Sequence, residues 1–207
     1  GVVGAGRSGF PTHVKLNTKV EYFIVNAAEC EPLIETDKYL CRTFADRIVK
    51  TIPVIAESLG ASRKVIALKG AYEKEIAALR EAIKNSDSDV EIFEMGYFYP
   101  AGDEQTLIQQ VTGRCVPERG LPSDVGCVVD NVGTVLNIAD ALEGKAVTEK
   151  YLSVVGEVTH TMQLHVPIGT SVLECVRAAK PTISEFALIM GGPMMGKRLT
   201  SQAEIEQ

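Results

Sequence analysis

The 207-residue chain has little of what marks several large functional classes. No apolar segment approaches the ~20 residues that a bilayer-spanning helix needs, and no signal-peptide pattern is visible. Both omissions lead us to expect a soluble piece with no transmembrane segment. There is no basic run either: 21 Lys and Arg are interspersed with 27 Asp and Glu, for a net charge of −6. Such a surface does not track a phosphate backbone or adhere to an anionic membrane, so nucleic acid is not expected as a partner. Low-complexity tracts are missing too, and 45% hydrophobic with 23% charged residues is the balance of a globular protein.

Cysteine and histidine are sparse in the arrangements that bind metals. Cys30, Cys41, Cys115, Cys127 and Cys175 never stand two or three residues apart, which excludes zinc-ribbon and ferredoxin-type spacings. An odd, scattered set suits a reducing compartment and buried thiols rather than a disulfide framework. His13, His160 and His165 are too dispersed to converge as ligands, so no metal site is expected. Both ends read as cut. The chain opens just ahead of a glycine-rich motif and stops in a polar run, so a piece of a longer protein is expected.

What is present has a clear order. Tyr22, Phe23, Ile24 and Val25 form a short apolar strand ending at Asn26. Thr36 offers a helix N-cap, and Leu40, Phe44, Ile48 and Ile52 follow at four-residue spacing, with Pro53 expected to kink or end the helix and Gly60 to stop it. Residues 64–68 and 90–95 read as strands flanking a helix at 71–84, and 125–129 as another strand. Strand and helix in alternation predict an α/β fold, a Rossmann-like parallel sheet with crossover helices. Past about residue 148 the pattern changes. A hairpin (151–155 and 163–166), a helix capped by Thr170 and a returning strand at 186–190 suggest a small α+β β-grasp module. The expected domains are therefore 1–148 and 149–207.

Four clusters carry polar chemistry. The first is Gly4-Ala5-Gly6-Arg7-Ser8-Gly9-Phe10-Pro11-Thr12-His13-Val14-Lys15, in which close glycines let backbone N–H groups converge on an anion and Lys15 adds a charge. It matches neither the Walker nor the Rossmann fingerprint, and alone it reads more readily as a flexible turn. The second is Asn26-Ala27-Ala28-Glu29-Cys30-Glu31-Pro32, where flanking carboxylates should raise the Cys30 thiol. The third is Tyr99-Pro100-Ala101-Gly102-Asp103-Glu104, whose acids also suit a helix N-terminus. The fourth is Asp130-Asn131-Val132-Gly133-Thr134. The last three follow strands, where open parallel sheets bind ligands.

In this order the clusters resemble the flavin-binding subunit of respiratory complex I and, more closely, the C subunit of Rnf-type electron-transport complexes and its soluble relatives. The Gly9 to Lys15 run, the Asn26 run, Tyr99 to Glu104, and Leu121-Pro122 with Val129-Asp130-Asn131-Val132 carry the resemblance. It spans nearly the whole chain, including an SLBB-type β-grasp module.

The resemblance implies an FMN site with NADH above it. Gly4, Gly6, Arg7, Gly9, Lys15, Asn26, Glu29, Gly102, Asp103 and Asn131 would line the FMN, and Phe10, Glu31 and Glu104 would face NADH. No residue is expected as a catalytic acid or base, because the flavin carries the chemistry. The activity implied is that of an NADH-dependent oxidoreductase component, with 4Fe-4S clusters only in the missing part of the parent. Partners would be electron-transfer subunits or a soluble reductase, in the cytoplasm and peripheral on the inner membrane face. A flavin-free docking module stays open as an alternative, since the family has glycine where Arg7 stands.

Overall fold

A computed structural model describes residues 1–5, 9–199 and 205. They form two compact units, one of Gly1–Cys30 with Asp37–Ala146, the other of Glu31–Thr36 with Val147–Gln207.

The first unit is built on a parallel sheet. Its strands are β1 (Tyr22–Asn26), β2 (Arg63–Lys69), β3 (Glu91–Met95) and β4 (Cys127–Asn131), in spatial order β3-β2-β1-β4. Strands covered on both faces read as continuous apolar runs, and Phe23, Ile24 and Val25 are all fully buried. One face carries α3 (Ala45–Leu59), which packs against both α4 (Glu73–Ser86) and α6 (Val132–Leu142). On the other, α5 (Glu104–Thr112) sets Leu107 and Ile108 against Ile24, Ala67 and Val129. Each such side chain withdrawn from water contributes about 1.5–3 kcal/mol.

The expected stripe from Leu40 to Ile52 is two helices, α2 (Thr36–Thr43) and α3, because Phe44 leaves helical geometry (φ −122°, ψ 25°). The stripe survives the bend: Phe44 N–H still donates to Leu40 O, and Ile48 N–H to Phe44 O. Pro53 does not end α3. The helix runs through it to Leu59, where Gly60 closes it at φ 64°. Four residues, Thr12–Lys15, make the short α1.

The second unit has a hairpin, β5 (Glu149–Val154) with β6 (Met162–Pro167), and the helix α7 (Val172–Ala178). Tyr151 faces His165 across the hairpin, their rings stacked 4.0 Å apart. Val154, Cys175, Ala179 and Ile205 form its core. The expected returning strand is shorter than the sequence suggests. Only Ile189–Met190 (β7) is strand, and it pairs with Lys197–Arg198 (β8) instead of with the β5–β6 hairpin. Gly191 and Gly192 adopt positive φ and turn the chain straight back, a local closure with a smaller entropy cost than a long-range return. Thr170 does not cap α7. Ser171 holds the cap position, and the Thr170 hydroxyl donates to Pro167 O. No helix among the described residues is long and apolar enough to cross a membrane.

Candidate functional site

The sheet order changes direction between β1 and β4, and the crevice beyond the carboxyl ends of two such strands is where open parallel sheets bind ligands. Asn26 ends β1 and Asn131 ends β4, and the two are register partners. The second and fourth clusters are therefore side by side.

The other two clusters are tied to the same place. Gly4 N–H donates to Phe10 O, and Thr12 N–H to Val2 O, so the glycine-rich segment closes as a loop. Ala5 N–H then donates to the Thr134 hydroxyl in the first turn of α6 (2.9 Å). Gly133 beside it is tightly enclosed: an added Cβ would lie 3.1 Å from Asn131 Oδ1 and 3.3 Å from Ala5 Cβ, so these neighbours would have to give way slightly. Gly9 sits at φ 54°, and Phe10 is exposed. Gly6 and Arg7 lie outside the described residues. Helix α1 delivers Lys15, whose ammonium donates to Val129 O (2.7 Å) in the middle of β4. It also faces Glu104 Oε1 at 3.4 Å and Asp130 Oδ1 at 3.5 Å.

The 99–104 turn is clamped onto the end of β1. Asn26 Nδ2 donates to Gly102 O (2.9 Å), while Asn26 Oδ1 accepts from Ala28 N–H. Gly102 N–H donates to Cys30 Sγ (2.7 Å). Asp103 caps α5 by accepting from Thr106 N–H, so the helix-terminus role weighed for that acid is the one its carboxylate fills here. Asn131 likewise caps α6 by accepting from Gly133 N–H, and its Nδ2 donates to Asp37 Oδ2 (2.8 Å). The Glu29 carbonyl accepts from Lys69 Nζ and from the Tyr72 hydroxyl.

Glu31 packs with the second unit, where its Oε2 accepts from Met194 N–H (2.8 Å).

Electrostatics mark two acids to which sequence reasoning assigns no ligand role. Asp130 is pushed up to about 6 by burial, with Lys15 opposing and Glu104 reinforcing the rise. Asp37 is also pushed up to about 6 by burial, against the Asn131 hydrogen bond. The signal for Asp130 is a lone charge closing an apolar strand. Asp37 offers only a helix first turn, and Thr134 only a place inside the fourth cluster. The Cys30 thiol is raised as expected, but burial is a larger cause than the carboxylates of Glu29 and Asp103.

A parallel sheet with its polar clusters gathered at the switch between β1 and β4 defines a class: α/β proteins that present a ligand crevice at the strand ends. The chain belongs to the Nuo51 FMN-binding domain family, whose model matches residues 1–140. It is 43% identical over 203 residues to cobalamin reductase PduS of Citrobacter freundii, covering 97% of this chain and 44% of that one. It is 36% identical to the C subunit of the Na(+)-translocating ferredoxin:NAD(+) oxidoreductase complex of Acetobacterium woodii, covering 95% of this chain and 46% of that one. The chain thus spans less than half the length of these curated relatives. Among solved structures, an NAD+-reducing [NiFe]-hydrogenase in its air-oxidized state shares the fold, with a TM-score of 0.82 at 23% identity over 98% of this chain and 41% of that one.

Proposed function

We propose that this chain is the FMN- and NADH-binding domain of an electron-transfer protein, with iron–sulfur clusters beyond residues 1–207 as the onward path. The observation that carries the reading is the meeting of four sequence-distant clusters at the β1–β4 crevice, Asn26 beside Asn131 and Lys15 against Val129 O. Family membership supports it.

The residues present fit a flavin mononucleotide. Near α6, the glycine loop is tied to the first helical turn through Ala5 N–H, and a helix N-terminus favours a phosphate beside it. Near α1 and α5, Lys15, held against Glu104 and Asp130, gives a cation for the phosphate and ribityl side of the nucleotide. Gly4, Gly6, Arg7 and Gly9 would cradle the phosphate side, and Lys15 would balance charge. Glu29 would face the flavin, while Asn26, Gly102, Asp103 and Asn131 would shape the walls through their mutual hydrogen bonds. Phe10, Glu31 and Glu104 would face the nicotinamide nucleotide, Glu31 with its Oε2 accepting from Met194 N–H. Bound FMN supplies hydride acceptance and one-electron release. The chain's own residues position it, and none is needed as acid or base.

A second reading concerns the acceptor. The higher identity to cobalamin reductases, 43% and 44%, than to the Rnf-type relative of A. woodii, 36%, favours a soluble corrinoid-linked partner over a membrane complex. Either use would place the protein in the cytoplasm, the second one peripherally at the membrane. Titration of the purified chain with FMN, followed by flavin fluorescence, should give saturable one-to-one binding, and anaerobic NADH should then bleach the flavin's visible band. No saturable binding by the chain, and none by Arg7→Gly, would refute the reading.

A further inference from the structure

Lys15 serves two carboxylates at once. Its Nζ lies 3.4 Å from Glu104 Oε1 and 3.5 Å from Asp130 Oδ1, with Val129 O as its closest acceptor at 2.7 Å. The Asp130 side chain is only 2% exposed, and its Oδ2 has no hydrogen-bond partner among the described residues. Among the described residues, charged groups reach Asp130 from two elements, Lys15 of α1 and Glu104 of α5. Its register partner on β1 is the uncharged Val25, and the adjacent Asn131 holds Asp37. With both acids ionised, the trio carries a formal charge of minus one, which repels an anion. Neutralising Asp130 removes that repulsion and leaves Lys15 balanced by Glu104 alone.

We propose that Asp130 is a positioning residue that takes up a proton when an anionic flavin nucleotide settles beside Lys15, coupling flavin binding to pH. The inference rests on the FMN reading above. The proton comes from solvent and forms an O–H bond on the Asp130 carboxylate, and no electrons move. Burial already holds this carboxyl near 6 in the free chain, so the proton is within reach at ordinary pH, and a nearby anion raises the affinity for it further. The sign is diagnostic. The second ionisation of a phosphate monoester, near pH ~6, turns the ligand into a weaker anion on acidification and would loosen binding. Asp130 predicts the reverse.

The test is the FMN Kd of the whole chain, read by flavin fluorescence from about pH 8 to about pH 5.5, with binding calorimetry at mid-range in two buffers of different ionisation enthalpy. If flavin raises the Asp130 carboxyl by one unit, Kd should tighten roughly sevenfold across that window, with net proton uptake. Asp130→Asn should flatten the profile, and riboflavin, which lacks the phosphate, should show little pH dependence. If that variant fails to fold, the proton count on the unmodified chain decides. FMN binding that is flat or weakens on acidification, or that releases protons, would overturn the role of Asp130 and leave the FMN reading standing. Absence of FMN binding at every pH would overturn both.

Discussion

Gly102→Ala is the sharpest test of how the site is assembled. A Cβ at Gly102 would lie 2.3 Å from Ala28 O and 2.9 Å from Cys30 Sγ. The nearer atom is backbone, so it cannot rotate aside. The 99–104 turn must lift from the end of β1, stretching the bonds from Asn26 Nδ2 to Gly102 O and from Gly102 N–H to Cys30 Sγ. Overpacking of this kind costs about 1–3 kcal/mol, and each weakened hydrogen bond about 0.5–1.5 kcal/mol. The total is on the order of 2–6 kcal/mol. At about 2–4 °C per kcal/mol for a protein of this size, Tm should fall by roughly 4–24 °C. Gly113→Ala is the matched control. Gly113 sits at φ 74° with no atom within 4 Å of an added Cβ, so it incurs only the left-handed penalty of about 1–2 kcal/mol. Thermal scans by far-UV circular dichroism compare the two, and FMN titration of Gly102→Ala follows the site. If Gly102→Ala is no less stable than Gly113→Ala, the clamp between the third and second clusters is refuted.

Two further outcomes follow from the same geometry. Thr134→Val keeps the buried shape but removes the acceptor for Ala5 N–H; the loss of about 1–2 kcal/mol should weaken FMN binding roughly tenfold or more, with a smaller effect on Tm, and equal FMN affinity would contradict the loop anchor. Asp130 also predicts a stability profile. Its folded titration is raised from the ordinary 3.8 to about 6, so between those values the folded state binds more protons than the unfolded one. Its contribution is therefore fully present below about 4 and is lost as pH rises to about 6, on the order of 3 kcal/mol. Urea unfolding should show that slope in the native chain and a flatter one in Asp130→Asn; matching slopes would show that the carboxyl is not held as described.

Most of the sheet is legible in the sequence because β1, β2 and β4 are largely buried and so appear as apolar runs. The bend at Phe44 is not, since the four-residue stripe crosses it unbroken. Within the site, the Asp103 cap is legible, its partner being three residues away. The pairing of Lys15 with β4 joins residues 114 apart, and no local pattern encodes it. The same holds for Asn131 and Asp37, 94 apart. The short β7–β8 hairpin is hidden for the opposite reason: a local turn at Gly191 and Gly192 prevails over an apolar run that reads as a longer strand.

The assignment of Glu31–Thr36 to the second unit has a consequence for how that unit matures. The Glu35 N–H donates to Ser153 Oγ, the Thr36 hydroxyl bonds the same oxygen, and Glu31 receives Met194 N–H from 163 residues downstream. On a ribosome, this hexapeptide emerges long before the strands it joins. It must wait, solvated, until the hairpin appears, and sequence separation of that size slows the last step of folding. A fragment starting at Val147 would leave Ser153 and Gln163 without the Thr36 hydroxyl, whereas supplying residues 31–36 in trans as a peptide should restore protection of their amides to hydrogen exchange.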